Sequence, residues 1–266
     1  MRSGKEVMDM IQRYYEIHDN GYNVRCKLYC SDPKSVRRAV LFGHGFGGHK
    51  DNKAAERFAS FAVGKHADLA VIVFNWPCHG DDMRRHLDLA SCDRYLDLVI
   101  RDTRERLRAL RLDAYATSFG GYLFLRYIAR HGNPFTATVL RCPAIDMHSV
   151  LTHAIMAEGQ LEQIQSGKEI LVGFDRKVPV SPAFLAELRG ESMAAVDFTG
   201  EMDRMLILHG TDDELVPFDM AQRFSDDNLI ELIPVEGADH RFRNARHMDT
   251  ANKETLSFMD QLSAPA

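Results

Sequence analysis

From residue 39 onward, short apolar runs alternate with longer amphipathic stretches, and this rhythm restricts the chain more than any other feature of it. Ala39–Gly43, Ala70–Asn75, Asp113–Thr117, Thr136–Arg141, Met205–Leu208 and Leu229–Pro234 are too short for helices and read as buried strands. Between them, Asp51–Lys65 repeats Ala55, Phe58, Ala59 and Ala62 at helical spacing. Ser91–Arg111 does the same with Tyr95, Leu98, Val99, Thr103 and Leu107. Phe119–His131, Pro217–Phe224 and Phe242–Leu262 are further helix candidates. Strands that alternate with helices imply an α/β fold, a mostly parallel twisted sheet with helices on both faces. Ahead of this rhythm, alternating stretches at Met10–Ile17 and Tyr22–Tyr29 flank the turn signal Asp19-Asn20-Gly21, which predicts an antiparallel hairpin at the sheet's edge. The stretch from Ile145 to Gly200 breaks the pattern, with polar patches and Pro179 and Pro182 in its middle. It reads as a helical lid, residues 145–200, inserted into a core made of 1–144 and 201–266.

At 266 residues the chain can bury one large core. Its net charge of −5 and the absence of a basic stretch argue against a nucleic-acid surface. Arg104, Arg106 and Arg108 alternate with acids and apolar residues, as on the solvated face of a helix. No apolar run approaches the roughly 18 residues that span a bilayer. The leading MRSGKEVMDMIQRYY has no apolar core of the signal-peptide kind, so a cytoplasmic location is expected. The five cysteines are scattered without a CxxC pair, which argues against a disulfide scaffold or zinc site.

Three segments carry chemistry, each just after an expected strand, where catalytic groups of open α/β sheets collect. The first is Ala116-Thr117-Ser118-Phe119-Gly120-Gly121. A serine on a tight strand-to-helix turn has its hydroxyl pushed out above the sheet, and its neighbours two positions away must be small. Ala116 and Gly120 meet that need, with alanine where glycine is usual. Taken alone, Ser118 is also readable as an ordinary helix N-cap, the less favoured of the two readings. The second segment is Gly43-His44-Gly45-Phe46-Gly47-Gly48, whose glycines let a backbone N–H point into a site; no GK[ST] follows, so a phosphate loop is disfavoured. The third is split between His209-Gly210-Thr211-Asp212-Asp213 and Gly237-Ala238-Asp239-His240. A serine hydroxyl needs an adjacent base, and an imidazole needs a carboxylate to hold its tautomer. Serine, acid and histidine occur here in that order along the chain.

HGFGGHKD at 44–51, FNWPCHGDD at 74–82, ATSFGG at 116–121, HGTDDELVP at 209–217 and GADHRF at 237–242 together resemble the α/β-hydrolase superfamily. The likeness is nearest to bacterial carboxylesterases of the feruloyl/cinnamoyl esterase and monoacylglycerol-lipase-like branch, and covers the chain from about residue 39 to its end. The resemblance implies Ser118 as nucleophile. It selects Asp213 over Asp212, by its place three residues before Val216-Pro217, and His240 over His247. Asp146, after the strand before the lid, is the rival acid. The resemblance further implies backbone N–H donors at Phe46 and Phe119 for an oxyanion, with substrate contacts at His44 and Gly45; Trp76 either lines the pocket as a further contact or simply covers the sheet's edge. The implied function is that of a serine esterase acting on a small-molecule ester, with no cofactor or metal. An aminopeptidase, thioesterase or acyltransferase on the same residues, or a non-catalytic binding module, are the alternatives. A dehalogenase is disfavoured because the turn carries serine rather than aspartate. Cys78, His79, Asp81, Asp82 and His86 lack paired metal-ligand spacing. Met147, Met156, Phe174, Phe184 and Met193 in the lid either line an acyl pocket or pack on the core. A homodimer is allowed by this reading.

Overall fold

Asn20 and Gly21, with φ of 44° and 82°, make the two-residue turn that right-twisted strands prefer. They join β1 (Ile11–Asp19) to β2 (Tyr22–Cys30), as the Asn-Gly signal predicts. The structure is a computed structural model that describes residues 10–263; residues 1–9, which hold most of the segment read above for a targeting signal, and 264–266 lie outside the described residues.

The chain continues through β3 (Arg38–Gly43), α1 (Lys53–Lys65), β4 (Leu69–Phe74), α2 (Leu89–Arg106), β5 (Arg111–Thr117), α3 (Phe119–His131) and β6 (Thr138–Arg141). Next come α4 (Met147–Val150), a π-helical turn (Leu151–Ile155), α5 (Gln160–Gln165), β7 (Ile170–Val172), β8 (Val178–Val180), α6 (Pro182–Gly190) and a 3₁₀ turn (Thr199–Arg204). The fold closes with β9 (Met205–Gly210), α7 (Phe218–Asn228), β10 (Glu231–Val235) and α8 (Ala245–Gln261). Eight strands form one sheet in the order β1-β2-β4-β3-β5-β6-β9-β10. The first three in that order pair antiparallel and the rest are parallel.

The parallel strands are apolar throughout because both faces are covered. Ala39, Leu41, Ala70 and Ile72 face a core shared with α2 and α3, while Val40, Phe42, Val71 and Val73 face α1 and α8. Helix boundaries follow caps more closely than periodicity. Asn52 accepts from Ala54 and Ala55 N–H, so α1 starts two residues later than its amphipathic pattern. Asp88 caps α2 two residues earlier than expected, and Arg111 belongs to β5. Asn244 sets the start of α8 at Ala245.

Segment 145–200 differs from the all-helical expectation. Ile170–Val172 and Val178–Val180 pair as a small antiparallel hairpin, a short strand pattern that the polar patches around it concealed. Met147, Val150, Leu151, Ile155, Ile164, Val172, Phe184 and Met193 extend the core of the α2–α3 face into this segment.

Candidate active site

Ser118 sits between β5 and α3 with φ of 52° and ψ of −118°, a left-handed conformation that costs a non-glycine residue about 1–3 kcal/mol. Three backbone bonds hold it there. Its N–H donates to Arg141 C=O at 3.0 Å, and its C=O accepts from Tyr122 N–H at 3.1 Å and Ala144 N–H at 3.2 Å. A Cβ at Gly120 would stand 2.6 Å from Gly43 O and 2.7 Å from His44 O, so only glycine lets α3 start this close to β3. Alanine at 116 is accommodated because its register partner is Gly43, where a Cβ would lie 3.2 Å from Ala116 Cβ. The departure from the usual glycine is therefore matched by a glycine on the neighbouring strand.

Asp213 lies in the loop after β9 and His240 in the loop after β10. His240 Nδ1 donates to Asp213 Oδ2 at 2.8 Å, and the other carboxylate oxygen accepts from Leu215 N–H (2.9 Å) and Val216 N–H (2.8 Å). The carboxylate fixes the proton on Nδ1 and leaves Nε2 as the free ring nitrogen. His209, at the end of β9, places Nε2 3.3 Å from Asp213 Oδ2 and 2.9 Å from Val216 O. Burial works against ionisation of Asp213. The bonds from His209 and His240 and the charge of His240 overrule it and hold the carboxyl far below the ordinary carboxylate range.

Ser118 and His240 open onto one cavity of about 810 Å³, lined also by Gly45, Phe46, Ile155, Phe174 and Leu215. Among the described residues no hydrogen bond joins Ser118 Oγ to His240, a contact that is often long in sites without substrate. Gly45 passes so near that a Cβ there would lie 3.2 Å from Ser118 Cβ. Neither Phe46 N–H nor Phe119 N–H donates to an acceptor among the described residues. The two rings pack edge to face with centroids 5.6 Å apart, which fixes one loop against the other.

His44 and Trp76 are placed differently from the expected substrate contacts. Both are fully buried and neither lines the cavity. Trp76 Nε1 donates to His44 O at 3.0 Å, and the indole packs on Phe74 and Phe124, so the pair braces the glycine-rich loop from behind. His79 stacks on Phe119. Burial pushes its imidazole down to about 4, against a bond to Pro77 O, and burial with the neighbouring His79 also lowers His44 well below the ordinary range. Asp146 caps α4 through Ser149 N–H, leaving Asp213 as the acid bonded to His240. The groups of the 78–86 segment serve other partners. Asp81 pairs with Lys50, Asp82 accepts from Cys78 N–H and Tyr95 OH, and His79 holds Pro77 O.

Two neighbours of the acid carry no role in the motifs quoted above. His209 stands four residues before Asp213, across a strand end and a turn, a spacing visible in HGTDD once the strand is known. Cys142, with φ of 46°, has its sulfur within 4.8 Å of the Asp213 and His240 ligand atoms. Burial and the Asp213 charge push its thiol well above the ordinary range, so it stays protonated and a poor metal ligand. No sequence signal marks it.

The model of the prolyl oligopeptidase family matches residues 103–265, and that of the serine aminopeptidase family S33 matches 34–167. No curated protein sequence matches the chain. Among solved structures, Est1E from Butyrivibrio proteoclasticus with ferulic acid bound superposes with a TM-score of 0.75 at 18% identity, over 94% of this chain and 100% of that one. A soluble variant of monoglyceride lipase from Saccharomyces cerevisiae, in complex with a substrate analogue, gives 0.73 at 15% identity over 100% of both chains. A puromycin-hydrolysing peptidase from Mycobacterium tuberculosis gives 0.70 at 19% identity, over 97% of this chain and 40% of that one. Among the described residues no helix is long and apolar enough to cross a membrane.

Proposed function

The chain belongs to the α/β-hydrolase superfamily, within its prolyl oligopeptidase and serine aminopeptidase families, and on that premise we propose that it is a serine hydrolase cleaving carboxylic esters through an acyl-enzyme on Ser118. The observation that carries this reading is the Asp213–His240 bond of 2.8 Å on the wall of the cavity that also receives the strained Ser118. In this reading His240 Nε2 takes the Ser118 proton as Oγ attacks the ester carbonyl. Asp213 keeps the imidazole in the right tautomer and stabilises the imidazolium. The N–H groups of Phe46 and Phe119 receive the oxyanion, each worth about 3 kcal/mol in the transition state. His240 then protonates the leaving alcohol, and water repeats the sequence on the acyl-enzyme. Segment 145–200 is the lid of this scheme, with Phe174, Asp175 and Arg176 of the β7–β8 turn over the cavity.

The family matches also raise an aminopeptidase reading, which needs an acidic group for the substrate's ammonium. Both carboxylates lining the cavity are already engaged. Asp51 holds Tyr14 OH, Lys27 and Lys50, and Asp175 holds Arg241. That favours an ester over a free amino terminus.

A fluorophosphonate probe tests the nucleophile. Wild type is expected to label and Ser118→Ala to stay unlabelled; equal labelling of the two, or labelling of neither, defeats the reading. A panel of p-nitrophenyl acyl esters and aminoacyl amides then separates esterase from peptidase.

A further inference from the structure

The chain carries a net charge of −5, yet the cavity wall is cationic. Lys53, Arg57, Arg141, Arg176, Arg241 and Arg243 line it, against Asp51 and Asp175. Three of the cations are matched: Arg57 by Asp249 at 2.7 Å, Arg243 by Asp239 at 2.8 Å and Arg241 by Asp175 at 3.4 Å. Lys53, Arg141 and Arg176 form no ion pair among the described residues.

Arg141 stands apart from the other two because it is buried, with 6% of its surface exposed. It ends β6, in register with Thr117 on the strand that leads to Ser118. Its guanidinium lies over the Phe242 ring, 5.1 Å from the centroid, and one terminal nitrogen approaches Met248 Sδ at 3.0 Å. Phe242 and Met248 both line the cavity, so the charged end of Arg141 is at the cavity wall. Its Nε is buried with no acceptor. A thioether, a ring face and the neighbouring Tyr115 hydroxyl are uncharged and weak partners for a guanidinium, and an uncompensated buried charge is costly. The N-terminal end of α1, whose dipole favours an anion, forms the adjoining wall through Lys53 and Ala54.

We propose that the cavity recognises esters bearing a free carboxylate, which Arg141 binds while Ser118 attacks the scissile carbonyl. This rests on the serine-hydrolase reading above. Carboxylate is favoured over phosphate because one planar guanidinium fork matches a carboxylate, and the first N–H groups of α1 are already taken by Asn52, leaving no cradle for a phosphate. The turnover step is ordinary acyl transfer. The acyl carbon gains a bond to Ser118 Oγ and loses its bond to the alcohol oxygen, which takes the proton from His240. Water then releases a product that carries the anion held by Arg141 or leaves it on the alcohol.

Two measurements test it, on the full chain. In the first, binding of monomethyl glutarate, dimethyl glutarate and inorganic phosphate to the Ser118→Ala protein is followed by calorimetry, without turnover. Monomethyl glutarate is expected to bind best and to lose about 10- to 100-fold in affinity when Arg141→Met is added, the loss typical of a charge-assisted bond. Equal binding of the dimethyl ester, tighter binding of phosphate, or no effect of Arg141→Met overturns the proposal. In the second, kcat/KM is compared for the 4-methylumbelliferyl hemi-ester of glutaric acid and its methyl-capped counterpart. The charged-to-neutral ratio is expected to exceed one in wild type and to fall about 10- to 100-fold in Arg141→Met. Lys53→Ala, at an exposed position, is expected to lower the same ratio a few-fold, and keeps the test open should Arg141→Met fold poorly. A merely structural arginine would shift the thermal midpoint and leave the ratio unmoved. Turnover of both esters at equal rates sinks the anion site and spares the esterase. Arg141-dependent binding with no Ser118-dependent turnover sinks the esterase and spares the anion site.

Discussion

After β3 and β4, His44 and His79 lie with ring centroids 5.5 Å apart, fully buried, and neither forms an ion pair among the described residues. After β9 and β10, His209 and His240 both reach the same carboxylate, Asp213. In the first cluster each Nδ1 is held by a backbone carbonyl and each Nε2 is buried without a partner, and burial keeps both rings neutral. In the second, a carboxylate stripped of water but saturated with donors supplies a fixed negative charge beside an imidazole that also faces the cavity. Four histidines at the carboxyl end of one sheet thus divide by a single neighbour. Where a carboxylate is present the ring is hydrogen-bonded to a fixed charge; where it is absent the ring is a dry strut that shapes the loop.

The most direct way to break this contrast is Asp213→Asn. The change keeps an oxygen for the Leu215 and Val216 N–H groups but removes the charge and the tautomer control. The expected loss is about 10⁴-fold in kcat on a p-nitrophenyl ester, as for other Ser-His-Asp relays. A loss below about tenfold would erase the distinction between the two clusters.

The dry cluster makes its own prediction through pH. His79 in the folded chain protonates only near 4, whereas an unfolded histidine does so near 6.5. Between those values the unfolded state binds more protons, so stability is full above about pH 6.5 and is lost as pH falls toward 4, by up to about 3 kcal/mol. His44 acts in the same direction. Asp213, whose folded value is depressed, adds its loss only below the unfolded carboxylate value of about 3.9, so the two clusters fail in separate windows. Denaturant unfolding at pH 7 and pH 4.5 measures the first window. His79→Phe, which retains the stack on Phe119, should remove the part of that loss that His79 carries and leave the part due to His44.

A smaller effect sharpens the second cluster. His209→Phe removes the 3.3 Å contact to Asp213 while keeping a ring beside Phe218. kcat should fall about tenfold in the wild-type background and hardly at all in Asp213→Asn, because the two residues act through one carboxylate. Additive losses would mean that His209 acts on something other than the acid.

Much of this was legible in the residues. The alternation of apolar runs and amphipathic stretches located the six strands from β3 onward in the main sheet, since a parallel sheet covered on both faces leaves a continuous apolar signature. Asn20-Gly21 announced the hairpin through its need for positive φ. Ser118, Asp213 and His240 were nameable from motif order, and the structure brings the last two into contact. The β7–β8 hairpin was missed because strands of three residues leave too little alternation to register. The side of the loop that His44 and Trp76 take is illegible for a different reason. Position beside a glycine-rich loop indicates nearness to a site but not which side of the backbone a ring takes. Cys142 and Arg141 had no local signal at all, because what makes them notable is Asp213 in one case and the absence of any carboxylate in the other.

The mildest test concerns Trp76. Its indole donates to the carbonyl of His44, the residue just before Gly45 and Phe46, and does not reach the cavity. Trp76→Phe keeps most of the apolar packing on Phe74 and Phe124 and strands that carbonyl. Stability should fall by about 1–2 kcal/mol, the cost of an unsatisfied buried acceptor with a small void. If the ring only braces the loop, kcat falls modestly as the Phe46 N–H loses its alignment, and KM holds within about twofold. A substrate contact would do the reverse, raising KM at nearly constant kcat. Steady-state kinetics on one neutral ester, read beside a urea titration of the same variant, decides which side of the loop the indole serves.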